Sequence, residues 1–209
     1  MSQGAQPGDV AAICLPNIPH AVIAFYAVNK LGMVANMIHP LTPPDELGNI
    51  LKMTKSRYLF MLDAFLPRAV DAIRGAGTKK TFVCAVSDYL SPFMSLGFYI
   101  TKGRKIKHLP VSADRILWKE FISRRDNIQT GIKAGSSHDP AVYLHSGGTL
   151  GAPKTIVLSS MNMNIIALQG MSIVGMSDPK GMTMAAILPM FHGFGLCVGM
   201  HTMMVCGAA

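Results

Sequence analysis

The chain has 209 residues, half of them hydrophobic and only 14% charged, against roughly a quarter charged in an average soluble domain. With a mean hydropathy of +0.34, this excludes a disordered chain and a coiled coil, and leaves a protein with a sizeable buried core. Nineteen basic against eleven acidic residues give a net charge of +8, which suits an anionic partner without saying which anion.

Met1–Gly8 is small and polar, lacking the basic start and apolar centre of a secretory signal. Asp9–Leu15 (DVAAICL) is a continuous apolar run, as in a strand covered on both faces, and Pro16 and Asn17 end it. From Ile18 to Leu31 the residues Val22, Ile23, Phe25, Tyr26, Val28 and Leu31 recur at helical spacing, and Gly32 stops the helix. Met33–Ile38 is a second strand. Thr42–Glu46 then opens a helix running to Thr54, with prolines early and acids in the first turn. Arg57–Leu62 is a third strand, Ala64–Arg74 a helix and Thr81–Val86 a fourth strand. This alternation predicts an α/β fold, largely parallel sheet with flanking helices and right-handed crossovers.

Residues 87–135 break that rhythm. Lys102, Arg104, Lys105 and Lys107 form a basic knot beside Phe93, Met94, Leu96, Phe98 and Tyr99. A solvated amphipathic excursion between two strands is the first reading, and a membrane-surface or anionic-ligand patch the alternative. Leu117–Ile122, around the single tryptophan, predicts a short helix, and Lys133–Asp139 a polar loop. Ala141–Leu144 is a further buried strand, with a second apolar run at Thr155–Ser159. The methionine-rich stretch Met161–Met176 fits the filling of irregular core gaps, with an acyl channel as the alternative.

After Lys180 no Asp, Glu, Lys or Arg occurs up to Ala209. Such a run is formally a transmembrane candidate, but Pro189, His192, Gly193, Gly195, Gly199 and His201 interrupt it. Buried sheet and helix of a larger soluble protein is the better fit, and the expectation is that the chain is a piece of something longer. The four cysteines, at 14, 84, 197 and 206, are too sparse for a disulfide framework and lack the spacing of a zinc site. A reduced, cytoplasmic compartment is expected.

The chemistry concentrates where the strand Ala141–Leu144 runs into His145-Ser146-Gly147-Gly148-Thr149-Leu150-Gly151-Ala152-Pro153-Lys154. Glycines let backbone N–H groups turn inward, hydroxyls add donors and a lysine supplies a point charge, which together make an anion cradle. It is not a Walker loop, because Pro153 precedes the lysine and the glycine spacing differs.

Ser146 to Lys154 (SGGTLGAPK) resembles the phosphate loop of the adenylate-forming (AMP-binding) superfamily, the AMP-dependent acyl-CoA synthetases and their relatives. Two other stretches are similar to that family in the same order. One is GDVAAICLPN (Gly8–Asn17) with its following helix and the later His39–Pro40 to Glu46–Leu47 pattern. The other is Leu188 to Gly195 (LPMFHGFG). Leu150 in place of a hydroxyl residue, Thr155 in place of the glycine after the lysine, and His39 in place of asparagine depart from the family pattern.

The resemblance implies that residues 1–209 are a partial AMP-binding (adenylation) domain. It divides into a first α/β subregion (1–86), an irregular basic connection (87–140) and a phosphate-loop subregion (141–209), with the C-terminal small domain absent. It implies a fragment of an ATP-dependent, AMP-forming ligase that joins a carboxylate, by a lean toward fatty acids, to coenzyme A through an acyl-adenylate. Gly147, Gly148, Thr149 and Gly151 would wrap the ATP phosphates, Lys154 would neutralise them, and Ser146 is both a phosphate-loop residue and a candidate Mg²⁺ ligand. His192 would orient the substrate carboxylate beside Phe191. His145 is read as either a site residue or a strand-end spacer, and His20, His39, His108, His138 and His201 as structural or surface. The family's later elements, including its adenylation lysine, lie beyond this sequence, so the chain alone is expected to be inactive. A non-catalytic nucleotide-binding or membrane-docking module, peripheral to a membrane, is the alternative. Nucleic acid is disfavoured, since net charge alone points to it.

Overall fold

The computed structural model describes residues 3–106, 109–110, 112–124, 135–146, 154–173, 175 and 181–208. In chain order these form β1 (Val10–Cys14), α1 (Pro19–Lys30), β2 (Val34–Met37), α2 (Pro44–Met53), β3 (Ser56–Leu62), α3 (Leu66–Gly75), β4 (Lys80–Cys84) and α4 (Pro92–Thr101). There follow β5 (Arg115–Leu117), α5 (Trp118–Ser123), β6 (Pro140–Ser146), β7 (Lys154–Ser159), α6 (Ser160–Ile173), a π-helix (Gly195–Thr202) and α7 (Met203–Cys206).

The strands make one seven-stranded sheet in the order β5-β4-β3-β1-β2-β6-β7. All neighbours pair parallel except β6 and β7. The run β2-β1-β3-β4-β5 is doubly wound: the chain steps from β1 to β2 on one side and then crosses back over β1 to β3. Helices therefore cover both faces. Alternation along the strands separates two cores. Ala11, Ile13, Phe60, Val142 and Leu144 pack with α1, Met163 of α6 and Leu196 of the π-helix. Ala12, Cys14, Leu59 and Met61 pack with α2 and α3. Being covered on both faces is why β1 reads as an unbroken apolar run, all five residues buried.

Helix limits follow local chemistry. Prolines open α1, α2, α3 and α4 in their first turns, where the missing N–H costs nothing. Asp45 and Glu46 sit in the first turn of α2 and Lys52 in its last, complementing the helix dipole. Gly32 adopts φ 70° just past α1, a left-handed conformation that costs a side chain dearly and glycine nothing.

The predicted strands and helices up to Val86 all appear within one or two residues of their expected limits. Where it is described, the stretch 87–135 holds more regular structure than the sequence suggests. It contains α4, whose N-terminus Ser91 caps by accepting from the Met94 N–H at 3.4 Å. It also adds β5 to the sheet edge beside β4. The expected helix around Trp118 is α5. Of the loop expected at 133–139, residues 133–134 lie outside the described residues and Gly135–Asp139 is irregular, as expected. Among the described residues no helix is long and apolar enough to cross a membrane.

Candidate functional site

In a doubly wound sheet ligands bind beyond the carboxyl ends of the strands. At that edge β1 ends at Cys14 and leads to Asn17, β2 ends at Met37 and leads to His39, and β6 ends at Ser146. Asn17 gathers a distant segment to it: its Nδ2 donates to the Ala186 and Leu188 carbonyls at 2.7 and 2.8 Å. Its Oδ1 accepts from the Met190 N–H at 2.9 Å. The chain then turns tightly, the His192 N–H donating to Pro189 O at 3.1 Å and the Leu196 N–H to His192 O at 2.9 Å.

Gly195 makes that turn sterically feasible, since a Cβ there would lie 2.1 Å from Pro189 O and 2.6 Å from its carbonyl carbon. Phe191 meets the His39 ring edge-to-face at 4.5 Å between centroids. A Cβ on Gly193 would lie 3.4 Å from Leu144 Cδ1, so the segment rests on β6 two residues before Ser146.

The ends of the predicted phosphate loop are held as one rung: Ser146 and Lys154 are direct partners across the antiparallel β6–β7 pair, and Ser146 Oγ donates to Lys154 O at 3.5 Å. Gly147, Gly148, Thr149 and Gly151 lie outside the described residues. Strand alternation puts Ser146, with Leu144, on the sheet face that the Met190–Phe194 segment covers. The structure thus sets Ser146 and exposed Lys154 on one rung of this edge, with exposed His192 in the turn whose Gly193 rests on Leu144 of the same strand. Of the histidines read as structural, His20 is 1% exposed and bonded to Asp88 at 2.9 Å. His201 contacts Tyr26 and Asn164.

On the opposite face lies a polar cluster that the sequence reading did not find. His145 Nε2 is 2.6 Å from Asn36 Oδ1, and His145 Nδ1 is 3.2 Å from Thr155 Oγ1. Asn36, fully buried, donates through Nδ2 to Thr54 Oγ1 and Ser56 Oγ at 2.9 and 3.1 Å. Burial pushes the His145 pKa below its ordinary value, which favours the neutral ring. No local pattern announces these contacts, because Asn36 and His145 are 109 positions apart.

Magnesium prefers oxygen ligands, commonly one or two carboxylates together with substrate phosphates and water. Here Ser146 offers a single neutral oxygen. Among the described residues no group of three His, Cys, Asp or Glu side chains comes together to hold a metal. The described residues therefore do not form a magnesium site by themselves.

The family model for AMP-binding enzymes matches residues 1–209. The chain belongs to the AMP-binding enzyme family. It is 29% identical over 204 residues to a long-chain-fatty-acid–CoA ligase of Bacillus subtilis (strain 168), covering 95% of this chain and 36% of that protein. Its fold is similar to the crystal structure of the anthranilate CoA ligase AuaEII in complex with anthranoyl-AMP. The TM-score is 0.78 at 21% identity, covering 100% of this chain and 36% of that one. It also resembles ATP-bound MatB from Rhodopseudomonas palustris, with a TM-score of 0.70 at 17% identity, covering 99% and 35%. The chain thus spans about a third of the length of the relatives it matches. The seven-stranded, mostly parallel sheet with flanking helices is the arrangement these ligases share with it.

Proposed function

We propose that this AMP-binding chain supplies the phosphate-holding edge of an AMP-forming carboxylate–CoA ligase, with a fatty acid as the carboxylate. The observation that supports it most is the Ser146–Lys154 rung at the carboxyl edge with the turn that carries His192 seated on the same strand, within a chain matched by the family throughout. The fatty-acid choice draws on the Bacillus subtilis relative, and the use of ATP on the ATP-bound MatB neighbour.

The chemical difficulty is charge, because an anionic carboxylate must reach the α-phosphorus of an anionic triphosphate. Fixed donors and a cation that need no reorganisation lower that barrier most. Lys154, exposed at the start of β7, neutralises phosphate oxygens. The backbone N–H groups of Gly147, Gly148, Thr149 and Gly151 donate to them, and the Ser146 hydroxyl joins them by exchanging its long 3.5 Å bond to Lys154 O for a phosphate oxygen. His192, held by the Pro189 turn, orients the carboxylate beside Phe191. Magnesium, when bound with the triphosphate, would spread its charge, and the Ser146 hydroxyl would offer it a neutral oxygen. A thiol, that of coenzyme A, then takes the acyl group from the adenylate.

Titration calorimetry with ATP tests the reading. Binding is expected, and Lys154→Ala weakens it at least about tenfold, the usual worth of a charge-assisted bond. Absence of ATP binding by the folded chain overturns the proposal. With ATP and a fatty acid the 209-residue chain releases no pyrophosphate above background, and turnover would show that it needs nothing further.

A second surface favours docking on an anionic bilayer. None of the ten residues of α4 is buried. Phe93 is 88% exposed, with Met94, Leu96, Tyr99 and Ile100 also exposed. Lys102, Arg104 and Lys105 follow directly, Arg104 lying 5.7 Å over the Tyr99 ring. No acid occurs between Asp88 and Asp114. An apolar helix about 15 Å long ending in cations suits the interface of an acidic membrane rather than its interior. Sedimentation is expected with phosphatidylglycerol vesicles, and to be lost with Lys102, Arg104, Lys105 and Lys107→Ala. Equal binding by that variant overturns the docking.

A further inference from the structure

The polar cluster behind β6 has only one consistent arrangement of protons. The Thr54 hydroxyl donates to Ile50 O at 2.7 Å, so in its 2.8 Å contact with Ser56 it accepts, and Ser56 donates. Asn36 spends both Nδ2 hydrogens on Thr54 and Ser56, leaving Oδ1 as a pure acceptor. The 2.6 Å contact therefore requires His145 to carry its proton on Nε2. With the ring's single proton on Nε2, Nδ1 accepts and the Thr155 hydroxyl donates.

Geometry permits this reach because Ala12, the partner of Asn36 on the intervening β1, has only a methyl group. Each link is directed, and the chain runs from β7 through β6 and β2 to the last turn of α2. Its outer end ties His145 to Thr155 on the rung next to Ser146–Lys154. Two consecutive rungs thus carry side-chain bonds across the mouth of the 147–153 connection.

We infer that His145 and Thr155 are positioning residues: locked through Asn36 in the Nε2–H tautomer, they clamp the two stems from which Ser146 and Lys154 face the phosphates. The inference rests on the nucleotide reading above for its functional consequence, and on this geometry for its structural one.

The experiment uses the full chain and separates the two. Thr155→Val keeps shape and removes the hydroxyl, whereas Thr155→Ser keeps it. In His145→Gln the amide reproduces the Nε2–H link to Asn36 and loses the Thr155 link. Thr155→Val and His145→Gln each weaken ATP binding about fivefold, the double variant weakens it no further, and Thr155→Ser matches the unmodified chain. Hydrogen exchange of amides from Leu144 to Ser146 and Lys154 to Ile156 quickens by a similar factor in Thr155→Val. Nitrogen NMR of the unmodified chain shows the His145 ring protonated at Nε2. Unchanged exchange in Thr155→Val, or a proton on Nδ1, overturns the clamp whether or not ATP binds. Quickened exchange with unchanged ATP affinity overturns its positioning role. A chain that does not bind ATP but shows the exchange and tautomer results keeps the clamp and removes only the nucleotide reading.

Discussion

Gly195→Ala destabilises the protein by about 3 kcal/mol or more, the range of severe overpacking against groups that cannot yield. The added methyl would sit 2.1 Å from Pro189 O, 2.6 Å from Pro189 C and 2.8 Å from Leu188 O. These are backbone atoms of a turn fixed on one side by Asn17 and on the other by the π-helix, so no side chain can rotate away. The turn must open, and with it the Phe191–His192 pair loses its seat on His39 and β6. Thermal unfolding followed by circular dichroism measures the loss. Gly199→Ala is the control, since nothing lies within 4 Å of a Cβ there. A Gly195→Ala melting temperature equal to that of the control would mean that the turn is not as close as described.

Asn17→Asp has a comparable effect for an electrostatic reason. The side chain keeps its shape, but the Nδ2 that donates to Ala186 O and Leu188 O at 2.7 and 2.8 Å becomes a second acceptor. Two hydrogen bonds become two oppositions of oxygen lone pairs. Only the bond from Met190 N–H to Oδ1 survives. Because the group is partly open to water, which screens the charge, the loss is about 2 kcal/mol. The sign with pH is definite. Protonating the new carboxyl restores one donor, so the difference between Asn17→Asp and the unmodified chain narrows as pH falls through the acid range. A difference that stays constant from pH 7 to pH 4 would assign the loss to something other than these carbonyls.

Much of this fold is written locally. Elements such as β1, α1 and α2 follow from apolar runs, helical spacing and prolines or glycines at their ends, each decided within about a dozen residues. What escaped notice lacks such a signature. β5 is three residues long with one buried side chain, Ile116, too short for any periodicity. α4 carries no stripe, because its apolar residues wrap all round the helix, and its one local signal, Ser91–Pro92 at its start, did not enter the sequence reading.

The site divides in the same way. Its motif segments are visible as strings, and Lys154 and His192 could be picked out from them. The seating of the His192 turn at this edge could not, because it depends on Asn17 reaching 169 to 173 positions ahead. The Asn36–His145 link is equally non-local: an asparagine inside a strand and a histidine at the end of another carry no hint of one another.

The order of strands has a kinetic consequence. β1 to β4 close onto neighbours near in sequence, whereas β6 docks on β2 through Ala35–Val142 and Asn36–Tyr143, about a hundred residues apart. Closing so long a loop is entropically expensive and is rewarded only once the pairing is complete. The first strands and their helices therefore assemble early, and β6, β7 and the turn that Asn17 receives join in a slow, late phase. During refolding the early half waits with the flank of β2 unpaired, so yield falls with rising protein concentration.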